Sequence, residues 1–385
     1  MNHMNSHRTF ADAPTRAVLC IAIALVPAAT SEAQEKPLLT KPVLSGYVIG
    51  QYQATIKEDD NDNTFCIRMA RLALTGTIAD FEYKLQGQVN GNTSTLGNSP
   101  RLVDAYVEWQ RYKFFKVKAG QFKRPFTFEN PMNPIDQGFM GYGQVVSKLS
   151  GYNDRTGEHA SNGRDIGVQV QGDLLPNTAG RTILHYQIGL FNGQGINTKD
   201  VDNRKDVIGG LWVSPLAGLR IGVFGWVGSH ARDGSWTDDD GTTHEGTVSL
   251  GQYRYALSAE YKDADWQLRA EYIHSTGYGF KTTYQDDEDK DDATVNYALG
   301  DRADGAYVLC IAPIIRGKLR VKGRYDLYRR SATWSDSRTQ YEIGVNVLPH
   351  ANIQIQAEYA LINDRTQSSG KHNYSMVDIQ LSVRF

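Results

Sequence analysis

Strict alternation of apolar and polar residues recurs along most of this chain and limits the possible folds more than any other feature. The last nine residues read VDIQLSVRF, and apolar side chains stand at every second position from Val377 to Phe385. Segments 80–90 and 318–330 show the same period of two, which is typical of a β-strand with one apolar and one polar face. After residue 33 the sequence shows no convincing helical period, so an all-β fold is predicted.

About sixteen such segments follow one another, and the predicted strands span 43–56, 65–76, 80–90, 101–110, 114–122, 164–172, 181–191, 205–213, 218–229, 248–261, 265–275, 304–313, 318–329, 338–348, 352–361 and 374–385. Their connections alternate in length. Short ones read TIAD, QRYK, SPLAG, KDAD, IIRG and LPHA, and long polar ones such as KEDDNDN and SHARDGSWTDDDGTTHEG lie between them. Outer-membrane barrels have this arrangement, with short periplasmic turns and long extracellular loops.

Closure of the sheet follows from the absence of water in a bilayer. An open strand edge in lipid would leave backbone groups unpaired, so the last strand must pair with the first. We therefore predict a 16-stranded antiparallel transmembrane β-barrel over residues 43–385, with aromatic residues near the strand ends at the two interfaces. A soluble barrel or sandwich that buries the apolar face is the alternative.

The N-terminus has the composition of a secretory signal. Arg8 and Arg16 give a positively charged segment before the apolar run AVLCIAIALVPAA (17–29). SEA (31–33) then puts small residues at the cleavage positions. We predict a cleaved signal peptide over 1–33 and a short periplasmic lead-in over 34–42. The alternative is a transmembrane anchor, for which the run is short. This reading places the mature protein in the outer membrane of a Gram-negative cell.

Overall composition excludes two classes of protein. A mean hydropathy of −0.46 is too polar for a bundle of membrane helices. A formal net charge of −2 gives no general attraction to nucleic acid, so no nucleic-acid partner is predicted.

Basic side chains fall on the polar side of three predicted strands, 80–90, 114–122 and 318–329, and this side faces the interior of a barrel. They are expected to line the interior and attract anions: Lys84, Lys116, Lys118, Lys318, Arg320, Lys322 and Arg324. A solvated polar wall without preference is the alternative, because Glu82, Asp104, Glu108, Asp165 and Glu358 are predicted to face the interior as well.

The segment 123–163 is too long for a plain connection. It contains aromatic residues and three prolines in KRPFTFENPMNPIDQGFMGYGQVV, which favour a folded loop. We predict that this third long loop folds into the interior and narrows it, with Lys123, Arg124 and Lys148 near the constriction. An extracellular flap is the alternative.

Other chemistries find less support in the sequence. The acidic loops KEDDNDN, DDDG and DDEDKDD lack EF-hand spacing, so solvated loops are favoured over loose divalent-cation binding. No H-E-x-x-H or G-x-S-x-G motif occurs, and His185 and His274 have no obvious catalytic partners. The prediction is therefore no enzyme, no cofactor and no resident metal.

Several segments resemble the phosphate-selective porin O/P family, which is widespread in Bacteroidota. The resemblance is carried by RMARLALTGTIADFEYKLQGQVNG (68–91), LVDAYVEWQ (102–110), RDIGVQVQGDL (164–174) and above all GQFKRPFTFEN (120–130) and GLFNGQGIN (189–197). It implies a sixteen-stranded, usually trimeric outer-membrane channel that uses interior Arg and Lys for anions. Family members often carry paired arginines where this chain has Arg68-Met69 followed by Arg71. Residues three apart on a strand point to opposite faces unless a bulge intervenes, so the place of Arg68 and Arg71 in the interior stays open.

The predicted function is a passive diffusion channel for small hydrophilic solutes, with a preference for anions such as phosphate. A narrow or closed barrel that acts as an adhesin or scaffold through its acidic loops is the alternative. The expected partners are solutes, lipopolysaccharide and other outer-membrane lipid, two further copies in a homotrimer, and the barrel-assembly machinery. The last of these is expected through the terminal Phe385, a resemblance to the last-strand signal of assembled barrels.

Overall fold

The computed structural model describes residues 39–58, 61–90, 100–238, 240–283, 291–367 and 371–385. The predicted signal peptide and residues 34–38 of the lead-in lie outside the described residues. Within the described part, sixteen antiparallel strands pair in sequence order and close into one barrel, which confirms the predicted fold class. The strands are β1 (Val43–Ile56), β2 (Asp62–Ile78), β3 (Phe81–Val89), β4 (Arg101–Tyr112), β5 (Phe115–Lys123), β6 (Arg164–Pro176), β7 (Thr182–Phe191), β8 (Asp206–Val213), β9 (Leu219–Thr237), β10 (Thr243–Asp263), β11 (Trp266–Thr276), β12 (Arg302–Ile315), β13 (Leu319–Arg329), β14 (Ser337–His350), β15 (Ile353–Asp364) and β16 (Asn373–Arg384).

The seam between the first and last strands closes the barrel. β1 and β16 pair antiparallel from Tyr47 opposite Arg384 to Ile56 opposite Ser375. Phe385 extends this ladder, since its N–H donates to the carbonyl of Gly46 at 3.0 Å and its own carbonyl accepts from the Gly46 N–H at 2.9 Å. A Cβ at position 46 would lie 2.5 Å from the Arg71 carbonyl oxygen and 2.8 Å from the Phe385 ring, so this close approach requires glycine.

The outer surface of the barrel is apolar, as the alternation predicts. Large apolar side chains that alternate with interior polar ones are well exposed on all sides, among them Leu72, Leu85, Val223, Leu257 and Ile343. The inner face instead carries the buried polar and charged side chains of the same strands. An inside-out distribution of this kind suits lipid outside and water or polar groups inside.

The β9–β10 hairpin is longer than predicted. The sequence favoured strand ends at 229 and 248, whereas β9 continues to Thr237 and β10 begins at Thr243. The two strands remain paired out to Thr237 opposite Thr243. Residues 230–247 are polar on both faces, which removes the alternation that sequence analysis depends on and leaves only the backbone ladder to define the strands.

Within the described residues, helical structure is limited to short segments in the connections. Helix α1 (Gln144–Leu149) lies between β5 and β6, and single 3-10 turns cover Pro134–Asp136, Tyr297–Leu299 and Trp334–Asp336. None of the helices in the described ranges has the length and apolar character needed to cross a membrane.

Deletion of Phe385 is expected to reduce assembly of the barrel more than its conductance. The deletion removes two backbone hydrogen bonds at the seam and the ring that packs on Gly46, while the interior side chains stay unchanged. The amount of folded protein in isolated outer membranes, compared with single-channel conductance in bilayers, checks this. Normal membrane levels of the truncated chain would contradict it.

Candidate functional site

The connection between β5 and β6, residues 124–163, is packed inside the barrel and is called loop 3 below. Its aromatic residues contact interior side chains of the wall: the ring of Phe126 lies 5.6 Å from that of Trp226, and that of Phe128 lies 5.6 Å from Trp212. Phe126 and Phe128 are 0% and 1% exposed. Trp226 and Trp212 lie on the inner face of β9 and β8, so a loop whose rings pack on them must lie inside the barrel.

A buried apolar cluster results from this packing. Its loop 3 members are fully or almost fully buried, and they pack on interior residues of β5, β7, β8, β9, β10, β11, β12 and β13: Phe126, Phe128, Phe139, Val145, Val146, Leu149 and Tyr152. Burial of apolar area is the main stabilising term available to a loop, at about 25 cal/mol per Å². The cluster therefore fixes loop 3 against one part of the wall.

Buried ion pairs anchor loop 3 at further points. Arg269 on β11 donates to Glu129 Oε1 at 2.7 Å, and both side chains are 0% exposed. Arg254 on β10 donates to both carboxylate oxygens of Asp154 at 2.8 Å. Burial by itself would raise the pKa of Asp154, but the pair with Arg254 outweighs it and lowers that pKa to about 2. These ion pairs fix loop 3 near its beginning, at Glu129, and near its end, at Asp154.

Arg124, one of the residues predicted at a constriction, has buried ionic partners. Arg124 donates to Glu158 at 3.0 Å and to Asp165 at 2.9 Å, and all three side chains are buried. Burial alone would lower the pKa of Arg124, but the two carboxylates outweigh it and raise that pKa. Lys148 lies near the end of α1, where burial lowers its pKa.

The basic residues predicted on β13 are largely neutralised. Lys322 pairs with Glu358, Arg324 pairs with Glu342, and both cations also donate to loop 3 carbonyls, those of Gly138 and Gly141, at 2.9 Å. Outside this buried set, Arg320 donates to Asp265 at 3.0 Å. Lys318 is exposed in the tight turn before β13 rather than on the strand. Three of these four cations are paired with carboxylates. Their attraction for anions therefore stays a prediction.

The predicted lysines of β3 and β5 lie on a more open part of the inner wall. Lys116 lies 3.9 Å from Asp173, and Lys118 lies 3.8 Å from Glu108, with 25% and 17% of the two lysine side chains exposed. Lys118 also lies 4.6 Å above the Tyr106 ring. Lys84 pairs with Asp104 at 2.8 Å and is 21% exposed. Their exposed fractions show that all three lysine side chains remain accessible to solvent.

A bulge decides the position of the two arginines on β2. Ile49 pairs with Met69 while Gly50 pairs with Ile67, so Arg68 is an extra residue in the ladder. Both arginines therefore turn to the interior: Arg71 donates to Gln88 at 2.6 Å, and Arg68 donates to the carbonyl of Met140 in loop 3.

Four cations gather around one carboxylate where loop 3 leaves the wall. Arg164 donates to Asp104 at 2.5 Å, and Lys84 pairs with the other oxygen of the same carboxylate. Lys123 interacts electrostatically with Arg71, Arg164, Asp104 and Lys84. The formal charges of these four cations and one carboxylate sum to +3. This set, Arg71, Lys84, Lys123, Arg164 and Asp104, is called the basic cluster.

Neutral acceptors surround two members of the basic cluster. The Lys123 ammonium lies within hydrogen-bond distance of four oxygens, of which it can donate to three at once: the carbonyls of Asn130 and Met132, at 2.7 and 2.5 Å, and the hydroxyls of Tyr142 and Tyr152, at 2.9 and 3.1 Å. The buried Nη1 of Arg71 has no hydrogen-bond partner among the described residues. Burial among neutral groups disfavours the charged form of Lys123, so the excess positive charge of the cluster rests chiefly on Arg71, Lys84 and Arg164, with the Asp104 carboxylate opposing them.

Sequence analysis missed Arg164 and the anchoring arginines Arg254 and Arg269. Arg254 and Arg269 alternate with apolar residues in YRYALSAEY and WQLRAEY, so the period of two was the signal that could have placed them in the interior. Arg164 stands at the first position of β6, where no alternation precedes it.

Solved structures support the fold. An anion-selective porin from Comamonas acidovorans superposes with a TM-score of 0.62 at 15% identity over 90% of this chain and 99% of that one. OmpF of Salmonella typhi, in complex with daunomycin, gives 0.59 at 14% identity over 89% and 97%. The trimer form of OmpT from Vibrio cholerae gives 0.57 at 12% over 90% and 99%.

Sequence comparison gives two results. No curated protein sequence matches the chain. Residues 46–182 match the sequence model of the family described as phosphate-selective porin O and P, and this confirms the resemblance over that part of the chain. The matched range includes most of β1, all of β2 to β6, loop 3 and every member of the basic cluster.

Proposed function

We propose that this protein is an outer-membrane porin through which small hydrophilic solutes diffuse passively, with a preference for anions such as phosphate. The observation that carries the proposal is the basic cluster, a formal +3 inside a closed barrel whose outer face is apolar. Excess positive charge in a confined interior raises the local concentration of anions and lowers that of cations.

Loop 3 gives the channel its shape. The apolar cluster and the ion pairs anchor it mainly on β8 to β15, with further contacts on β1, β2, β5, β7 and β16. The more exposed lysines Lys84, Lys116 and Lys118 stand on β3 and β5. In this proposal solutes pass beside these lysines, with the basic cluster next to their path. No covalent step and no energy source is required.

Location and assembly complete the proposal. The predicted signal peptide at 1–33 directs export, and the short turns face the periplasm. A homotrimer is proposed because a structural neighbour is described in its trimer form. The lipid-facing surface contacts outer-membrane lipid and lipopolysaccharide, and Phe385 serves as the signal to the assembly machinery.

A closed barrel that acts as an adhesin or scaffold is the second candidate. The observation in its favour is the same apolar cluster, which fills much of the interior near loop 3 with fully buried side chains. The two candidates differ in one measurable property, namely whether the purified protein conducts.

Planar-bilayer recording tests the proposal. We expect discrete conductance steps from purified protein, and in a KCl gradient a reversal potential of the sign given by chloride as the more permeant ion. Replacement of chloride by phosphate then ranks the two anions. Absence of steps at protein amounts that give channels with a known porin would establish the closed barrel instead, and a cationic reversal potential would overturn the anion preference.

A further inference from the structure

The tip of loop 3 crosses the seam of the barrel from inside. The 3-10 turn Pro134–Asp136 lies at the short-turn end, and Ile135 packs on Tyr47, Ile49 and Met69 of β1 and β2. The next residue, Asp136, pairs with Arg384 of β16. Two neighbouring residues of the loop thus contact the first and the last strand.

The following residues bond to the strands that precede β16. The Gly138 carbonyl accepts from Lys322 of β13 at 2.9 Å and from Asn346 of β14 and Gln356 of β15 at 3.0 Å. The Met140 N–H donates to Glu358 of β15 at 2.8 Å.

Met140 also contacts the other side of the seam. Its carbonyl accepts from Arg68 of β2, and its sulfur lies 3.9 Å from the Gln51 amide nitrogen of β1. Arg68 in turn donates to Gln380 of β16 at 3.3 Å. Met140 is therefore bonded to strands on both sides of the β1–β16 pair.

Seam residues under this segment are buried by it. Ile49 and Ser382, which face each other across the seam, are both 0% exposed. Burial shields the backbone ladder beneath from water and adds side-chain contacts that the two strands cannot make with each other alone. Other strand pairs are joined by a chain connection at one end, whereas β1 and β16 are joined by none.

We propose that residues 135–140 of loop 3 clasp the β1–β16 seam, so that seating of this part of the loop stabilises the pairing that closes the barrel. The loop then has a mechanical role in addition to shaping the channel. The half-exposed Asp136–Arg384 pair contributes little alone, and the packing of Ile135 with the buried bonds of Gly138 and Met140 carries most of the effect.

Hydrogen exchange of the full-length protein in detergent, read by mass spectrometry, tests the clasp. In Ile135→Ala we expect exchange in peptides covering β1 and β16 to become roughly tenfold faster, in line with loss of a packed aliphatic side chain. Peptides covering β11 and β12 should exchange as in the wild type. Asp136→Asn should give a smaller acceleration, also confined to the seam.

A matched control is available at the same end of the barrel. Asp265→Asn breaks the pair with Arg320, which joins the β10–β11 turn to β13 and does not cross the seam. This variant should leave β1 and β16 unchanged. Equal acceleration in all strands of Ile135→Ala, or an equal effect of Asp265→Asn on the seam, would overturn the proposal. If Ile135→Ala does not fold, Asp136→Asn alone decides, by the same comparison of seam and non-seam peptides.

Discussion

Arg269→Leu is expected to release loop 3 from the wall and to destabilise the barrel by about 3–5 kcal/mol, the usual cost of removing one partner of a buried ion pair. Arg269 donates to Glu129 at 2.7 Å and to the Tyr307 hydroxyl at 2.7 Å. Without it, the carboxylate of Glu129 remains 0% exposed and loses its cationic partner. Loop 3 should then move away from β11 toward the water-filled interior, because this movement hydrates the Glu129 carboxylate.

Two measurements follow this change. The temperature of unfolding in detergent should fall, and single-channel conductance should rise or become noisy as the loop detaches. Arg302→Leu is the control, because its pair with Asp301 is exposed and should matter by less than about 1 kcal/mol. The double variant Arg269→Leu with Glu129→Leu should recover part of the stability, because Glu129 no longer leaves an unpaired charge and Glu260 keeps its pair with Arg220. A single variant as stable as the wild type would show that the pair does not anchor the loop.

Lys84→Gln is expected to lower the anion-to-cation permeability ratio by roughly fivefold. A unit charge about 8 Å from a passing ion, at an effective dielectric constant near 80, is worth roughly 0.5 kcal/mol. The effect has opposite signs for an anion and a cation, so the ratio of their permeabilities changes by about 1 kcal/mol, or roughly fivefold. Lys84 is the most accessible member of the basic cluster, and its loss leaves Asp104 paired with Arg164, so the fold should be retained.

The reversal potential in a KCl gradient measures the change, and a second lysine provides the matched control. Lys318→Gln removes the same charge from an exposed turn and should leave the reversal potential unchanged. The shift in Lys84→Gln should shrink at high salt, because screening shortens the range of the field. Equal effects of the two substitutions would mean that net charge, rather than the basic cluster, sets the preference.

Alternation was sufficient to predict the strands because it is a local consequence of lipid on one side and polar groups on the other. β1 and β8 were found within a residue at each end for this reason. The hairpin β9–β10 was not, since its outer part is polar on both faces. Alternation also predicted that Lys322 and Arg324 face the interior, where the structure places them.

Partners of these interior residues could not be read from the sequence. Glu342 reaches Arg324 from the adjacent strand β14, and Glu358 of β15 reaches Lys322 across β14. Which acid meets which base depends on strand register. The basic cluster depends on two further features that no alternation shows: a single extra residue at Arg68 and the path of loop 3. The sequence therefore predicts that charged side chains line the inner wall, but it does not predict that cations outnumber acids in the basic cluster.

The long β9–β10 hairpin also has a practical consequence. Its tip closes on itself, since the Asp238 carboxylate accepts from the N–H groups of Asp240 and Thr242 at 3.1 and 2.9 Å and pairs with His244. Trp236 stacks on the same histidine with ring centroids 5.4 Å apart. A tip that is stabilised by its own residues tolerates insertion without disturbance of the strands below it. We therefore expect a peptide epitope inserted at Gly241 to leave the barrel folded and, in the proposed outer-membrane orientation, to lie on the cell surface.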